Sequence, residues 1–351
     1  MTEPTMRILS LGAGVQSTTL ALLSARGELP RLDAAIFADT GWEPRGVYDH
    51  LDRLEREVLT PAGIPLYRVN NGNIRDDVLN PNKMRSLPAH TIDPTTGEMG
   101  MLGRKCTQVY KFQPIMGQVR LLLGAKVGDP KVCGKCDGNG VRVAPWRAKR
   151  DEFVEGPCSV CDGTGEIHRI GQPPAGRWAE QWIGFSTDEI TRVSSRADSR
   201  YSKSRHPLLE LDMSRVQCEA YLAKHGWGST AKSACVGCPF HGNAEWRRLR
   251  DTDPKSWDDA VAFDKAYRRP PGMTHQVFLH MSRKPLDEAP IDRVRPKDYT
   301  QPSLLDAVYE AELDRAENGD PDGCSPWACR SGEAVAFGPV PPPPSHTQED
   351  T

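Results

Sequence analysis

Two copies of the motif C-x-x-C-x-G-x-G lie close together in the chain, as CGKCDGNG and CSVCDGTG. Two thiolates three positions apart can share one tetrahedral Zn²⁺, and a second pair completes a closed four-thiolate site of the structural kind. The glycines of each copy let backbone N–H groups turn toward sulfur. The motif therefore predicts a zinc-binding insertion over residues 128–172, and paired thiols without a metal are the alternative. The predicted ligands are Cys133, Cys136, Cys158 and Cys161.

A glycine-containing turn follows the first apolar run of the sequence, in RILSLGAGVQSTTLALL, which begins at Arg7. The pattern predicts a strand that leads into a helix. Such a turn places backbone N–H groups and hydroxyls at a helix N-terminus, where they suit a phosphate. No lysine follows the second glycine, so the turn is not a Walker A loop. An ordinary strand-to-helix turn with a serine cap is the alternative.

Strand and helix patterns alternate after this turn. DAAIFADTG and PLYRVNNG predict two further strands, and the helical segments STTLALLSARGE and PRGVYDHLDRLEREVL separate the three strands. Strands joined by helices form a parallel sheet, and ligands bind at the carboxyl ends of such strands. Asp39, at the end of the second strand, is therefore a candidate ligand for a ribose or Mg²⁺. A turn-forming Asp is the alternative.

Composition divides the rest of the chain. Residues 70–105 are rich in Asn, Pro, Thr and Gly and are interpreted as a long loop over the site. The α/β domain is predicted to occupy residues 5–127 and to resume over 173–300, where AEQWIGFSTDEI restores a strand and two helical patterns follow, DMSRVQCEAYLAKHGW and DPKSWDDAVAFDKAYR. The final segment, 319–351, is rich in Pro, Gly, Ser and acids, which predicts a disordered tail.

Bulk composition excludes several classes of protein. Of 351 residues, 45 are Lys or Arg and 47 are Asp or Glu, so the net charge of −2 gives no global attraction to nucleic acid or anionic lipid. Neither a long apolar run nor a signal-peptide pattern is present. We therefore expect a cytoplasmic protein that does not bind membranes. Its ten cysteines would remain reduced there and could bind metals.

Four segments of the chain resemble the PP-loop enzymes, or adenine nucleotide alpha hydrolases, and within them the phosphoadenosine phosphosulfate reductase-like branch. The segments are SLGAGVQSTTLALL, FADTGWEPRGVYDHLDRLE, RKCTQVYKFQPI and KSACVGCPFHGNAEWRRLR, and the resemblance spans most of residues 6–290 apart from the insertion. It implies a Rossmann-like parallel sheet that binds ATP or a related adenylate. The insertion locally resembles the zinc modules of DnaJ-type chaperones.

The same resemblance implies the residues of a nucleotide site. The expected phosphate and pocket contacts are Ser10, Gly12, Gly14, Ser17, Thr18, Asp39 and Thr40. Lys111 and Lys232 lie in segments shared with the family and are candidate cations for the charge on the phosphates. The candidate catalytic residues are therefore Asp39, Lys111 and Lys232, with Mg²⁺ bound to the polyphosphate.

A second metal site is expected beside the nucleotide, because the family places the segments of Cys106, Cys235 and Cys238 near that end of the sheet. One cysteine with a C-x-x-C pair can hold a 4Fe–4S cluster with one open iron, or a Zn²⁺ completed by His241 or Cys218. Several PP-loop enzymes that handle sulfur use such a cluster. Buried free thiols are the alternative.

These features predict an adenine-nucleotide-dependent enzyme that activates an acceptor by adenylation, for sulfur transfer or nucleobase modification. The candidate acceptors are tRNA, DNA or a nucleobase, and a homodimer is the candidate assembly. The sequence lacks the Glu-Cys-Gly-x-His nucleophile motif of the true reductases, which argues against reduction by a C-terminal thiol of this chain. The alternatives are a cluster-dependent sulfonucleotide reductase that uses an external thiol and a non-catalytic nucleotide sensor that binds nucleic acid.

Overall fold

The computed structural model describes residues 3–81, 83, 87–143, 155–193, 198–230, 233–292 and 317. Within them the strands are β1 (Met6–Leu11), β2 (Ala34–Asp39), β3 (Leu66–Asn70), β4 (His90–Ile92), β5 (Met99–Met101), β6 (Lys131–Val132), β7 (Val141–Val143), β8 (Glu155–Pro157), β9 (Glu166–Ile167), β10 (Ala179–Trp182), β11 (Ser202–Arg205) and β12 (Gln276–Phe278). The helices are α1 (Val15–Ala25), α2 (Arg45–Leu54), α3 (Ile74–Leu79), α4 (Gln113–Leu122), α5 (Pro207–Glu210), α6 (Arg215–Lys224), α7 (Asn243–Thr252) and α8 (Pro254–Tyr267). The tail predicted over 319–351 lies outside the described residues.

A five-stranded parallel sheet lies at the centre of the α/β domain, in the order β11–β10–β1–β2–β3. Leu9 of β1 is in register with Ala35 of β2 and with Trp182 of β10, and all three residues are fully buried. Burial on both faces is typical of parallel sheets, whose strands are covered by helices. This sheet confirms the predicted α/β class.

The two faces of the sheet carry separate apolar clusters. On one face Leu9 packs in a cluster that contains Leu20 of α1 and Leu222 of α6. On the other face Ile8 packs in a cluster that contains Val119 of α4. Adjacent residues of β1 belong to different clusters because successive side chains of a strand point to opposite faces. The helices and the sheet therefore form three layers.

A third cluster lies around a small antiparallel sheet, β12–β4–β5, and includes Trp42, Trp246 and Phe263. Two elements of this region, α3 and the β4–β5 hairpin, come from residues 70–105. The interpretation of that segment as one long loop was therefore wrong. Its strands were not recognisable because they are short and β4 pairs with β12, far along the chain.

The chain changes direction across the sheet at β1. The next two strands, β2 and β3, lie on one side of β1, whereas β10 and β11 return on its other side after the insertion. At such a topological switch point a crevice opens at the carboxyl ends of the strands, and open α/β sheets bind ligands there. The turn between β1 and α1 lies at this switch point, because it directly follows β1.

The helical patterns read from the sequence are confirmed by α1, α2, α6 and α8. Two π-helical turns continue helices, one over Glu55–Leu59, which forms the end of the predicted pattern PRGVYDHLDRLEREVL, and one over Thr107–Phe112 before α4. Short 3₁₀ turns cover Thr187–Arg192 and Leu286–Glu288. In the described part of the chain, no helix combines the length and the apolar character that crossing a bilayer requires.

Candidate functional site

Four buried cysteines converge in the insertion, and we call them the four-cysteine centre: Cys133, Cys136, Cys158 and Cys161. All four Sγ atoms lie within 4.8 Å of one another. The Sγ atoms of Cys133 and Cys158 are 3.9 Å apart, and those of Cys136 and Cys161 are 3.6 Å apart. Zn–S bonds of about 2.3 Å in a tetrahedron set sulfur atoms about 3.8 Å apart. The centre therefore has the spacing of ligands to one tetrahedral ion and can bind zinc or another metal.

The two copies of the cysteine motif clasp each other through matching backbone hydrogen bonds. The N–H of Cys133 donates to the carbonyl of Gly165 at 2.8 Å, and the N–H of Cys158 donates to the carbonyl of Gly140 at 2.7 Å. The N–H of Gly165 also donates to the Sγ of Cys161 at 3.3 Å, so a glycine N–H does turn toward sulfur as predicted. Each copy thus supplies a backbone hydrogen-bond acceptor for the first cysteine N–H of the other copy.

The last glycine of each motif copy is required by this clasp. Gly140 and Gly165 have φ values of 73° and 79°, in the left-handed region that disfavours side chains. A Cβ on Gly140 would lie 2.2 Å from the carbonyl oxygen of Gly163, and a Cβ on Gly165 would lie 2.1 Å from that of Gly138. No side chain fits at either position without moving backbone.

Two short antiparallel ribbons flank the four-cysteine centre, one formed by β6 and β9 and the other by β7 and β8. An isolated antiparallel bridge between Val127 and Ile170 lies at the base of the insertion. In the described part of the chain an ion pair joins the module to the α/β domain, because Lys83 Nζ lies 2.7 Å from Asp162 Oδ1. The module is therefore in direct contact with the domain that carries the predicted nucleotide site.

The turn between β1 and α1 is organised by Ser17. Its hydroxyl accepts from the N–H of Gly12 at 3.2 Å and lies 3.2 Å from the carbonyl of Gly14, to which it donates. Ala13 has a φ of 57°, an uncommon value for a residue with a side chain. The left-handed residue of the turn is thus Ala13, and neither Gly12 nor Gly14 has a positive φ. The turn presents the first N–H groups of α1 at the carboxyl end of the central strand.

Space remains around both glycines of this turn. A Cβ on Gly12 would lie 3.8 Å from the Ser17 hydroxyl, and one on Gly14 would lie 3.8 Å from Ser233. Both distances are ordinary van der Waals contacts. The second contact shows that the segment starting at Ser233 lies beside the turn. Lys232, the predicted catalytic residue just before it, lies outside the described residues.

Polar side chains behind the turn form a ladder across the sheet. Gln181 of β10 donates from Nε2 to Ser10 Oγ at 2.7 Å, and its Oε1 accepts from Ser202 Oγ at 3.1 Å. All three side chains are buried. Ser10, which we expected to contact phosphate, is therefore held by its neighbour strand. The sequence offered little signal for Gln181, because the strand reads AEQW and Gln181 follows a second polar residue, Glu180.

Thr18, another predicted phosphate contact, is fully buried, and its Oγ1 lies 2.9 Å from Nε2 of His50 on α2. Burial lowers the pKa of His50, and the charge of Arg53 lowers it further. The imidazole is therefore neutral near pH 7 and can accept from the Thr18 hydroxyl. His50 was not predicted from the sequence.

Asp39 ends β2 in a hydrogen-bonded turn. Its Oδ1 accepts from the N–H of Gly41 at 2.7 Å and from the hydroxyl of Tyr48 at 2.8 Å. Burial raises the pKa of Tyr48, and the carboxylate of Asp39 raises it further. Asp39 thus forms hydrogen bonds within a turn, as in the alternative interpretation given above. It lies at the edge of the sheet where a ligand is expected.

A buried polar group follows Asp39 and had not been predicted. Thr40 Oγ1 donates to Glu43 Oε1 at 3.2 Å and lies 3.2 Å from the Sγ of Cys235. Lys111 Nζ lies 3.8 Å from the same carboxylate oxygen. The side chain of Glu43 is 1% exposed. The structure therefore brings Thr40, Lys111 and Cys235 together around Glu43, whose only sequence signal was an acid shortly after a strand end.

The second cysteine group is partly assembled. Cys235 and Cys238 are buried in the third apolar cluster, and Cys106 packs against the same cluster from the start of the turn over Thr107–Phe112. In the described part of the chain, the four-cysteine centre is the one group of three or more candidate ligands spaced for a single ion. A 4Fe–4S cluster lies between its thiolates and separates them more widely, so that spacing applies to a single ion.

Comparisons of the chain with protein families, with curated proteins and with solved structures found no match. The described residues predicted for the nucleotide site nevertheless share one edge of the sheet, since Ser10 to Thr18 end or follow β1, Asp39 ends β2 and Thr40 follows it. Two chemically distinct regions result: a set of four cysteines spaced for one metal ion, and a strand-end edge of the sheet with backbone donors and a buried carboxylate.

Proposed function

We propose that the chain is a PP-loop enzyme, similar to the phosphoadenosine phosphosulfate reductase-like branch, that binds ATP or a related adenylate and activates an acceptor by adenylation. The space around Gly12 and Gly14 carries this proposal. Neither glycine has a positive φ, and among the described residues a Cβ on either would meet nothing closer than 3.8 Å. Packing among the described residues therefore does not require glycine at either position. Close approach of a ligand to the backbone would require it.

The start of α1 supports an anionic ligand. Among the described residues, no side chain caps this helix through its Gly14 N-cap. The first N–H groups of a helix lack partners within the helix, and the helix dipole favours negative charge at this end. A polyphosphate in the strand-end crevice would satisfy these donors.

In the proposed reaction a nucleophile of the acceptor attacks the α phosphorus. The bond from the α phosphorus to the bridging oxygen breaks as the new bond forms, and pyrophosphate leaves with the negative charge. The turn between β1 and α1 would hold the phosphates in line for this displacement. Asp39 would orient the ribose or hold Mg²⁺, which when bound neutralises phosphate charge. Lys111 would contribute positive charge from its position beside Glu43.

The metals belong to the same proposal. Four buried thiols in a closed set are the donors that structural zinc prefers, so we assign Zn²⁺ to the four-cysteine centre. We assign a 4Fe–4S cluster to Cys106, Cys235 and Cys238, because all three lie in or against one apolar cluster at the nucleotide end. Metal and sulfide analysis of anaerobically purified protein tests both assignments. Zinc without sulfide would exclude the cluster.

Nucleotide titration of Gly14→Ala tests the proposed nucleotide site. We expect wild-type protein to bind ATP and the variant to bind it at least about tenfold more weakly, which corresponds to about 1.4 kcal/mol. Gly134→Ala is the matched control, because Gly134 lies in the insertion and a Cβ there meets nothing within 4 Å in the described part of the chain. Unchanged affinity in Gly14→Ala, or no binding by the wild type, would overturn the proposal.

Product analysis separates the proposed activity from its rivals. Release of pyrophosphate from ATP with an acceptor present supports adenylation. Release of sulfite from an adenylated sulfate, with an added thiol, supports a sulfonucleotide reductase instead. If the protein forms neither product and binds DNA or RNA in a salt-dependent way, the result supports a nucleotide-sensing module.

A further inference from the structure

One lysine bridges the insertion and the α/β domain. Lys83 Nζ lies 2.7 Å from Oδ1 of Asp162 and 2.9 Å from Oδ1 of Asp77. Asp162 directly follows Cys161 of the four-cysteine centre, and Asp77 lies in α3. The Asp77 side chain is 13% exposed, whereas that of Asp162 is 69% exposed. Lys83 thus joins a carboxylate of the metal module to a carboxylate that is largely buried.

Asp77 continues this chain of contacts toward the predicted nucleotide site. Its Oδ2 accepts from the hydroxyl of Tyr110 at 2.8 Å, and Tyr110 is 3% exposed. Tyr110 lies in the π-helical turn over Thr107–Phe112, which begins directly after Cys106 and contains Lys111. The ion pair of Lys111 with Glu43 then reaches the strand end of β2. Charged and polar contacts therefore connect the metal module to the turn over Thr107–Phe112 and, through Lys111, to Glu43 near the end of β2.

We propose that Asp162 and Lys83 are positioning residues through which metal in the four-cysteine centre orders the turn over Thr107–Phe112. Metal binding and folding are coupled in small cysteine modules. Asp162 has a φ of 49°, a conformation set by the turn that follows Cys161. Without metal the turn that follows Cys161 is no longer held in this conformation, and Asp162 separates from Lys83. Lys83 then no longer holds Asp77 in place, and Asp77 no longer fixes the hydroxyl of Tyr110. The inference does not depend on nucleotide binding.

The other motif copy supplies an internal control. Asp137 follows Cys136 as Asp162 follows Cys161, and it has the same φ of 49°. Among the residues that the structure describes, Asp137 forms no ion pair. Asn tolerates this left-handed conformation about as well as Asp. Asp162→Asn and Asp137→Asn therefore make the same chemical change beside equivalent metal ligands, and one of them removes the bridge.

Amide hydrogen exchange of the full-length chain, zinc-loaded and after chelation, tests the proposal. In the loaded protein we expect residues 107–112 to exchange about two- to fivefold faster in Asp162→Asn, the range that a partly exposed ion pair supports. Asp137→Asn should match the wild type. Chelation should speed exchange in the wild type and remove the difference between it and Asp162→Asn, because the two perturbations act through one contact.

Zinc content measured on each variant shows that the substitutions spare the metal. Equal exchange in zinc-loaded Asp162→Asn and Asp137→Asn would overturn the proposal. A second variant, Lys83→Met, keeps the test decisive if chelation unfolds the whole chain, since it should reproduce the Asp162→Asn effect in the loaded protein. Failure of ATP binding with this exchange pattern intact would reject the proposed function alone.

Discussion

The glycines of the four-cysteine insertion and those of the turn between β1 and α1 have opposite surroundings. A Cβ on Gly140 would lie 2.2 Å from a backbone carbonyl oxygen, at a positive φ. Among the described residues, a Cβ on Gly14 would meet nothing closer than 3.8 Å, at an extended φ of −105°. In the insertion the packing of the chain against itself selects glycine. In the turn, steric packing among the described residues does not select glycine, which is why we assign the selection to a ligand.

The largest expected effect is that of Gly140→Ala or Gly165→Ala. Each places a side chain at positive φ and against a carbonyl oxygen, and we expect the insertion to lose more than ~2 kcal/mol of stability. Zinc content after incubation with a weak chelator measures the loss. Gly134→Ala should retain its zinc. A fully loaded Gly140→Ala protein would contradict the clasp between the two motif copies.

Acid should lower the free energy of unfolding through the buried imidazole of His280. Burial, with a smaller effect of His90, lowers the pKa of His280 to about 4 from its usual 6.5. Above pH 6.5 the imidazole is neutral in both the folded and the unfolded chain, so it does not reduce the free energy of unfolding. As the pH falls toward 4, the unfolded chain takes up a proton that the folded chain does not, so stability falls by up to about 1.4 kcal/mol per pH unit.

Urea unfolding between pH 7 and pH 5 measures this slope, above the range where most carboxylates titrate. His280 accepts or donates with Asn243 and Ser282, so His280→Gln will lower stability at pH 7 while flattening the slope. A slope unchanged in the variant would show that another group carries the pH dependence. Zinc is measured in parallel, because acid also protonates the thiolates of the insertion.

A smaller effect of opposite sign is expected for Gly14→Ala. Alanine adopts the extended backbone of this position without strain, and it reduces the freedom of the unfolded chain. We expect the free energy of unfolding to stay the same or to rise by up to ~1 kcal/mol. Thermal unfolding of the ligand-free protein measures it. A clear fall in stability would mean that the fold requires this glycine after all.

The smallest effect is expected for Ala13→Gly. Relief of the positive φ of 57° at Ala13 favours the folded state, while the greater freedom of glycine favours the unfolded state. The two terms nearly cancel, so we expect a net change of less than ~1 kcal/mol in the same unfolding measurement. A large loss would show that the Ala13 methyl group, which is buried, contributes mainly through packing.

Part of the fold was predictable because it is local in sequence. The apolar runs that became β1, β2 and β3 are bounded by turn residues, and the helices between them show clear patterns. The segment over 70–105 was not predictable, since α3 is short and β4 acquires its structure by pairing with β12. In the candidate site, Gln181, Glu43 and His50 were missed because each becomes informative only through its neighbours in space.

The sequence by itself determined the four-cysteine centre and the parallel α/β class. Two duplicated motifs carry their own ligand spacing and turn glycines, and strands alternating with helices leave few topologies. Only the tertiary structure decided that Glu43 lies among Thr40, Lys111 and Cys235, and that Lys83 links Asp162 to Asp77. These contacts join residues far apart in the chain, and no local pattern encodes which buried charges will face each other.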